Sequence, residues 1–270
     1  MLSPARLGRT RRRRTALIND EVERENEMEL RGLLTSVARK FPHKEALVAG
    51  DERYTYLELL EASRRAAAVF RDCGVAPGER VAVMTYNTPG FVLAAFGLWH
   101  AGATLVPVNH KLTAHELSYI AEHSGIRIGV VAASLLATAH EAAPNVRWLV
   151  TGNVPDIVDA ESFDALVAAA APWEGVDVDE NDIGQVLYTS GTTSRPKGCL
   201  HTHRSLATVP LYTTPTVGLR RGAARAAAQP VRQGNQARAA LRTDCFLAEV
   251  ADASQRHRVA AVQLDAEVVG

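Results

Sequence analysis

Tyr188-Thr189-Ser190-Gly191-Thr192-Thr193-Ser194-Arg195-Pro196-Lys197-Gly198 is the stretch on which the reading of this chain turns. It follows a short apolar run containing Ile183, Val186 and Leu187, and it sets hydroxyls, glycines and one lysine close together. That mixture suits a polyphosphate. Glycine lets the backbone turn so that successive N–H groups face an anion, Ser and Thr add short O–H donors, and lysine brings a full charge. Ser, Thr, Gly and Pro also build ordinary solvated turns, and by composition alone that reading stays open. A Walker A loop requires Gly, four residues, then Gly-Lys-Ser/Thr. Here Lys197 precedes Gly198 with no second glycine in front of it, which excludes the P-loop kinase and GTPase signature.

In its order the stretch resembles the phosphate-binding loop of the adenylate-forming enzymes, which include acyl-CoA synthetases, luciferases and the adenylation domains of peptide synthetases. That family's pattern reads Tyr-Thr-Ser-Gly-Thr-Thr-Gly-x-Pro-Lys-Gly. The departure is Ser194, where the last loop glycine usually stands, and it bears on loop geometry. The resemblance implies two half-reactions: a carboxylate attacks the α-phosphate of ATP to give acyl-adenylate and pyrophosphate, and a thiol, usually coenzyme A, then takes the acyl group. By position in the motif, Thr189, Ser190, Thr192 and Thr193 would supply hydroxyls, Gly191 the backbone approach, Ser194 the rest of the loop and Lys197 the positive charge. The first loop threonine of the family also lies at Mg²⁺, which puts Thr189 there. ATP, Mg²⁺ and coenzyme A are thus the implied cofactors, and a fatty or aryl carboxylic acid the implied substrate.

Upstream, Leu30, Leu33, Leu34, Val37 and Phe41 recur at helical spacing until Pro42 stops the helix. Ala46 to Ala49 and Tyr54 to Tyr56 flank Gly50-Asp51 as a hairpin. Thr55 and Glu58 have capping-box spacing and predict a helix through Ala66, Val69 and Phe70, ended by Gly74. Val81 to Met84 reads as a buried strand. The unit then repeats. Asn87 or Thr88 caps a helix with Pro89 in its first turn and Phe91, Val92, Ala95, Leu98 and Trp99 as its buried stripe, and Thr104 to Val108 returns as a strand. Thr113 and Glu116 cap the next helix, Ile128 to Val131 follows as a strand, and Val146 to Val150 is another beyond an alanine-rich helix near Ser134 to Glu141. Strands alternating with helices predict a layered α/β fold with a mostly parallel sheet and helices on both faces. The order resembles the amino-terminal part of the adenylate-forming family from about Met28 to Leu219, including Gly74-Val75-Ala76-Pro77-Gly78-Glu79-Arg80-Val81, Ala101-Gly102-Ala103 and Leu105-Val106-Pro107-Val108-Asn109.

Composition bounds the partners. The 270 residues carry 30 basic and 30 acidic side chains, so net charge gives no argument for nucleic acid. Cys73, Cys199 and Cys245 are odd in number and far apart, forming neither a disulfide framework nor a zinc site, and this predicts a reducing, cytoplasmic location. No run approaches the eighteen or so apolar residues of a membrane span.

Residues 1–27 stand apart. Arg6, Arg9 and Arg11 to Arg14 precede Asp20, Glu21, Glu23, Glu25 and Glu27, with no apolar stripe or signal-peptide core. A transit peptide or a nucleic-acid patch would share the basic half, but a disordered extension or a leader translated from too early a start is preferred. By the resemblance, residues 28–219 are expected to be a partial AMP-binding domain. After about Leu219 the chain becomes an Ala/Arg-rich tail, residues 220–270, which reads either as a solvated alanine-rich helix or as a segment out of frame. The family's downstream adenine strand, Thr-Glu, ribose aspartate and catalytic lysine are not found in the sequence, so no catalytic residue is assigned. The expectation is a truncated, inactive copy, or a fragment that at most binds nucleotide or a partner protein.

Several other residues bear on the site. His100, His110, His115 and His123 are scattered without acidic partners at metal spacing and read as surface or structural. The resemblance puts His201 and His203 at the start of the helix after the loop, where a histidine would line an acyl pocket, cap the helix or face solvent. Cys199 reads as core or strand filler, and Ser190 has no recognisable base to make it a nucleophile.

Overall fold

A computed structural model describes residues 28–153, 160–189 and 196–216 of the chain. The expectations for residues 1–27 and 220–270 lie outside the described residues.

Local chemistry sets the first elements. Helix α1, Leu30–Lys40, buries Leu34 and Val37 and stops at Phe41, ahead of Pro42. Strands β1 (Glu45–Ala49) and β2 (Glu52–Thr55) form the expected antiparallel hairpin around Gly50-Asp51. Thr55 then opens helix α2, Tyr56–Asp72, with a complete capping box: its hydroxyl accepts the Glu58 N–H while the Glu58 carboxylate takes the Thr55 N–H.

The layered body follows as β3 (Arg80–Met84), α3 (Pro89–His100), β4 (Thr104–Pro107), α4 (Ala114–Ser124), β5 (Ile128–Ala132), a 3-10 turn, α5 (Leu136–Ala142), β6 (Arg147–Thr151), α6 (Phe163–Ala169), β7 (Ile183–Thr189), β8 (Lys197–Thr202) and α7 (His203–Thr216). Thr113 and Glu116 form a second complete capping box on α4. Six strands make one sheet in the order β6-β5-β3-β4-β7-β8. The first five are parallel and β8 returns antiparallel to β7. Two apolar clusters lie on its two faces. Val81, Val83, Leu105, Val130 and Leu149 pack with α1, α2, α3 and α6, while Ala82, Met84, Val106, Val131 and Val150 pack with α4 and α5. Alternate residues of each strand thus go to opposite layers, as the two-sided sheet requires.

Three sequence expectations need correction. Helix α3 has no single buried stripe: Leu93, Ala94, Ala95, Phe96 and Leu98 are covered, whereas Phe91, Val92 and Trp99 are only partly so, because α3 is sandwiched between the sheet and α2. His201 lies in β8 and not in a helix; the helix begins at His203. Of the two readings of Cys199 the strand holds and the core does not: it lies in β8 and is exposed.

Between α6 and β7 the chain crosses the middle of α2, the carboxyl end of α3 and the first turn of α1 without regular structure. The Trp173 N–H donates to the Arg64 carbonyl (3.1 Å) and the Val176 N–H to the His100 carbonyl (3.0 Å). Arg64 pairs with Glu174 at 2.6 Å, and Arg31 donates to the Val176 carbonyl. His100 is 1% exposed beneath this strap. Burial, with the nearby Arg31 and Arg64 guanidinium groups, lowers its pKa to about 3, so it is neutral.

Candidate functional site

The inner end of β7 is fixed from several sides. Trp99 Nε1–H on α3 donates to the Gly184 carbonyl at 2.9 Å, and the Thr104 hydroxyl on β4 donates to the Ile183 carbonyl at 2.8 Å. The first turn of α7 closes on the same place, with the His203 N–H donating to the Asp182 carbonyl (3.0 Å) and Arg204 pairing with Glu180. The His203 ring is buried against Trp99 and beside Gly184, and burial lowers its pKa to about 4 despite Asp182. His203 is therefore a packed residue of the helix start, apart from the outer end of β7 where the loop leaves.

From this base β7 runs to Thr189, and the chain returns as β8 from Lys197. Register pairs are Leu187 with Cys199, Tyr188 with Gly198 and Thr189 with Lys197. Residues opposite one another in an antiparallel pair share a side of the ribbon, and sides alternate along each strand. Val186 and Tyr188 belong to the cluster under α4 and α5. Thr189 and Lys197 consequently leave from the other side, together with Leu187 and Cys199, and all four are exposed. The structure thus brings together the first hydroxyl and the lysine of the predicted site, facing each other across the mouth of the connection. Ser190, Gly191, Thr192, Thr193 and Ser194 lie outside the described residues.

The connection leaves the sheet at the carboxyl end of β7, the end at which the parallel strands β3 and β4 also finish. In open α/β sheets that rim is where ligands sit. Chemically, the arrangement offers one exposed hydroxyl and one cation to an anion. Mg²⁺ carried by a triphosphate keeps most of its ligands from phosphate and water and needs few from protein. The exposed Thr189 hydroxyl fits that role; among the described residues no group of three or more His, Cys, Asp or Glu is placed to hold a metal.

Two supporting residues were missed by the sequence reading. Tyr188 Oη lies 2.7 Å from His123 Nδ1 on α4, and Gly198 sits against the Tyr188 ring. The pairing is remote in sequence, and neither histidine spacing nor periodicity signals it.

Among known proteins, a CoA ligase of Mycobacterium tuberculosis acting on 3-[(3aS,4S,7aS)-7a-methyl-1,5-dioxo-octahydro-1H-inden-4-yl]propanoate is 36% identical over 184 residues, covering 63% of this chain and 36% of its own. The feruloyl-CoA synthase of an Amycolatopsis species is 36% identical over 169 residues, covering 63% and 32%. The chain therefore spans about a third of the length of these curated relatives. Among solved structures, the inhibitor-bound N-terminal domain of FACL13 from Mycobacterium tuberculosis superposes with a TM-score of 0.61 at 28% identity, over 70% of this chain and 47% of that one. With its parallel sheet closed by the β7–β8 pair, and with the AMP-binding enzyme family matching residues 34–225, the chain belongs to that family.

Proposed function

We propose that these residues form the phosphate-loop portion of an ATP-dependent carboxylate-activating ligase. In that reaction a carboxylate oxygen bonds to the α-phosphorus of ATP and pyrophosphate leaves; a thiol, coenzyme A by analogy with the relatives, then takes the acyl group and AMP leaves. The observation that carries the reading is the placement of exposed Thr189 opposite exposed Lys197 at the carboxyl end of β7, flanking the loop motif. Thr189, Ser190, Thr192 and Thr193 would hold the β- and γ-phosphates with Lys197, Gly191 and Ser194 would shape the loop, and Thr189 would also meet Mg²⁺. The proposed substrate is a fatty or aryl acid, since the relatives are named as ligases of such acids. Residues 28–219 are proposed as the contributing domain. A reducing, cytoplasmic setting is supported by the free thiols Cys73 and Cys199, and no helix of the described residues is long and apolar enough to cross a membrane.

A second reading concerns turnover. Because the chain spans about a third of its relatives, we propose that these 270 residues by themselves bind Mg-ATP without forming adenylate. Equilibrium binding and ATP–pyrophosphate exchange on the 270-residue protein test both readings. A charge-assisted contact contributes about 1.5 to 3 kcal/mol, so Lys197→Ala should weaken Mg-ATP binding roughly ten- to a hundredfold. Equal affinity in the variant would overturn the phosphate assignment. Exchange above the Lys197→Ala control, with a panel of carboxylates, would overturn the second reading.

A further inference from the structure

The outer half of β7 has little support from its parallel neighbour. The ladder between β4 and β7 is formed by Leu105 opposite Gln185, and beyond that point β7 is paired with β8, which is itself the edge of the sheet. Leu200 on β8 is 58% exposed, so burial does little to hold this strand. The ends that present Thr189 and Lys197 need another constraint.

Tyr188 supplies one. Its side chain leaves on the α4 side, opposite to Thr189 and Lys197, and its hydroxyl meets His123 Nδ1 at 2.7 Å. The His123 ring stacks on Tyr119 (centroids 5.4 Å apart) and meets the Tyr188 ring edge-on at 5.7 Å. Burial raises the Tyr188 pKa, opposed by the neighbouring Ser124 hydroxyl and the charge of Arg80, two residues at the junction of the end of α4 and the start of β3. Arg80 closes that junction by donating to the Ser124 carbonyl at 3.2 Å. Across the ribbon, Gly198 leaves room for the same ring: a Cβ there would lie 3.1 Å from Val186 Cγ1 and 3.3 Å from Tyr188 Cζ. One aromatic ring therefore braces the strand entering the loop and the strand leaving it.

We infer that Tyr188 and His123 are positioning residues that fix the mouth of the loop, holding Thr189 and Lys197 opposite each other for a polyphosphate; the ligand in this statement rests on the function proposed above. The ring alone would pack equally well as phenylalanine, so the inference concerns the hydroxyl and its histidine partner. Removing one hydrogen bond of this kind changes a local equilibrium by about three- to tenfold.

The test uses the whole 270-residue chain with Tyr188→Phe, His123→Phe and the double variant, measured by amide hydrogen exchange and by equilibrium binding of Mg-ATP and AMP. Exchange at residues 186–189 and 197–200 should quicken about three- to tenfold in each single variant and no further in the double, with residues 80–84 unchanged. Mg-ATP affinity should fall by a similar factor and AMP affinity should not. Unchanged exchange in Tyr188→Phe, or losses that multiply in the double variant, would overturn the inference. If exchange responds as expected while Lys197→Ala binds Mg-ATP like the parent, the brace stands and the phosphate reading fails.

Discussion

Gly175 and Gly125 separate two demands that one residue type meets. Both have a positive φ, +88° and +67°, a region that L side chains adopt at a penalty of about 1 to 2 kcal/mol. Beside Gly125, which closes α4, nothing lies within 4 Å of an added Cβ. At Gly175 that atom would sit 2.0 Å from the His100 carbonyl oxygen, which also accepts the Val176 N–H. Backbone cannot turn aside as a flexible side chain can. Gly125→Ala is thus expected to lower stability by about 1 kcal/mol, and Gly175→Ala by at least about twice that, since strain and a displaced strap add. Urea unfolding of the two variants checks the ratio; equal losses would mean that the strap does not press on α3.

Helix starts show which elements local sequence could specify. Thr55 and Thr113 both accept the N–H three residues on, and both glutamates answer, so Thr→Ala at either should lose about 1 kcal/mol. Thr88 precedes α3 with the same residue type but caps nothing, its hydroxyl being turned to the Tyr86 carbonyl at 3.4 Å; Thr88→Ala should lose less than about 0.5 kcal/mol. Differential unfolding of the three variants decides this, and a Thr88 loss as large as the others would refute the capping argument. The hydrogen bonds from Thr55 and Thr113 hold the Glu58 and Glu116 carboxyls below their ordinary pKa. Their contribution is present at neutral pH and is lost as pH falls through those lowered values. Capping spacing, turn glycines and apolar runs are short-range signals, which is why the hairpin, α1 to α4 and β3 to β6 were legible. Strand β8 was not. Lys197 to Thr202 buries no full face and is held by backbone pairing to β7 across the loop, so side-chain pattern marked neither of its bounds and only Cys199 was read as a strand or core position. The candidate site divides the same way: Thr189 and Lys197 follow from a contiguous motif, whereas His123 reaches Tyr188 only because α4 folds back over the sheet.

At the scale of the whole molecule, the strap before β7 joins α1, α2 and α3 to the strand that carries the site, with one neutral histidine beneath its middle and another where it ends. His100 is buried under Gly175 and Val176, and His203 beside Gly184, where the strap becomes β7. Such an arrangement makes stability depend on pH with a definite sign. Both rings have a folded pKa below their ordinary 6.5, about 3 for His100 and about 4 for His203, chiefly from burial. Between pH 6.5 and 4 the unfolded chain binds two protons that the folded chain refuses, so stability is full above 6.5 and falls as the solution is acidified. Each proton contributes a slope of up to about 1.4 kcal/mol per pH unit. Glu29 opposes them, because burial raises its carboxyl pKa despite the Arg31 charge; as pH falls through that raised value toward 4.5, protonation favours the folded chain. The steepest loss should therefore lie between about pH 6 and the raised Glu29 value, before the carboxyl begins to compensate. His100→Leu removes one titration and leaves a buried side chain of similar size; the variant's urea midpoint is expected to fall about half as steeply over this window. Identical slopes for the parent and His100→Leu would show that the ring does not titrate with unfolding, and with it that the strap does not keep His100 from water.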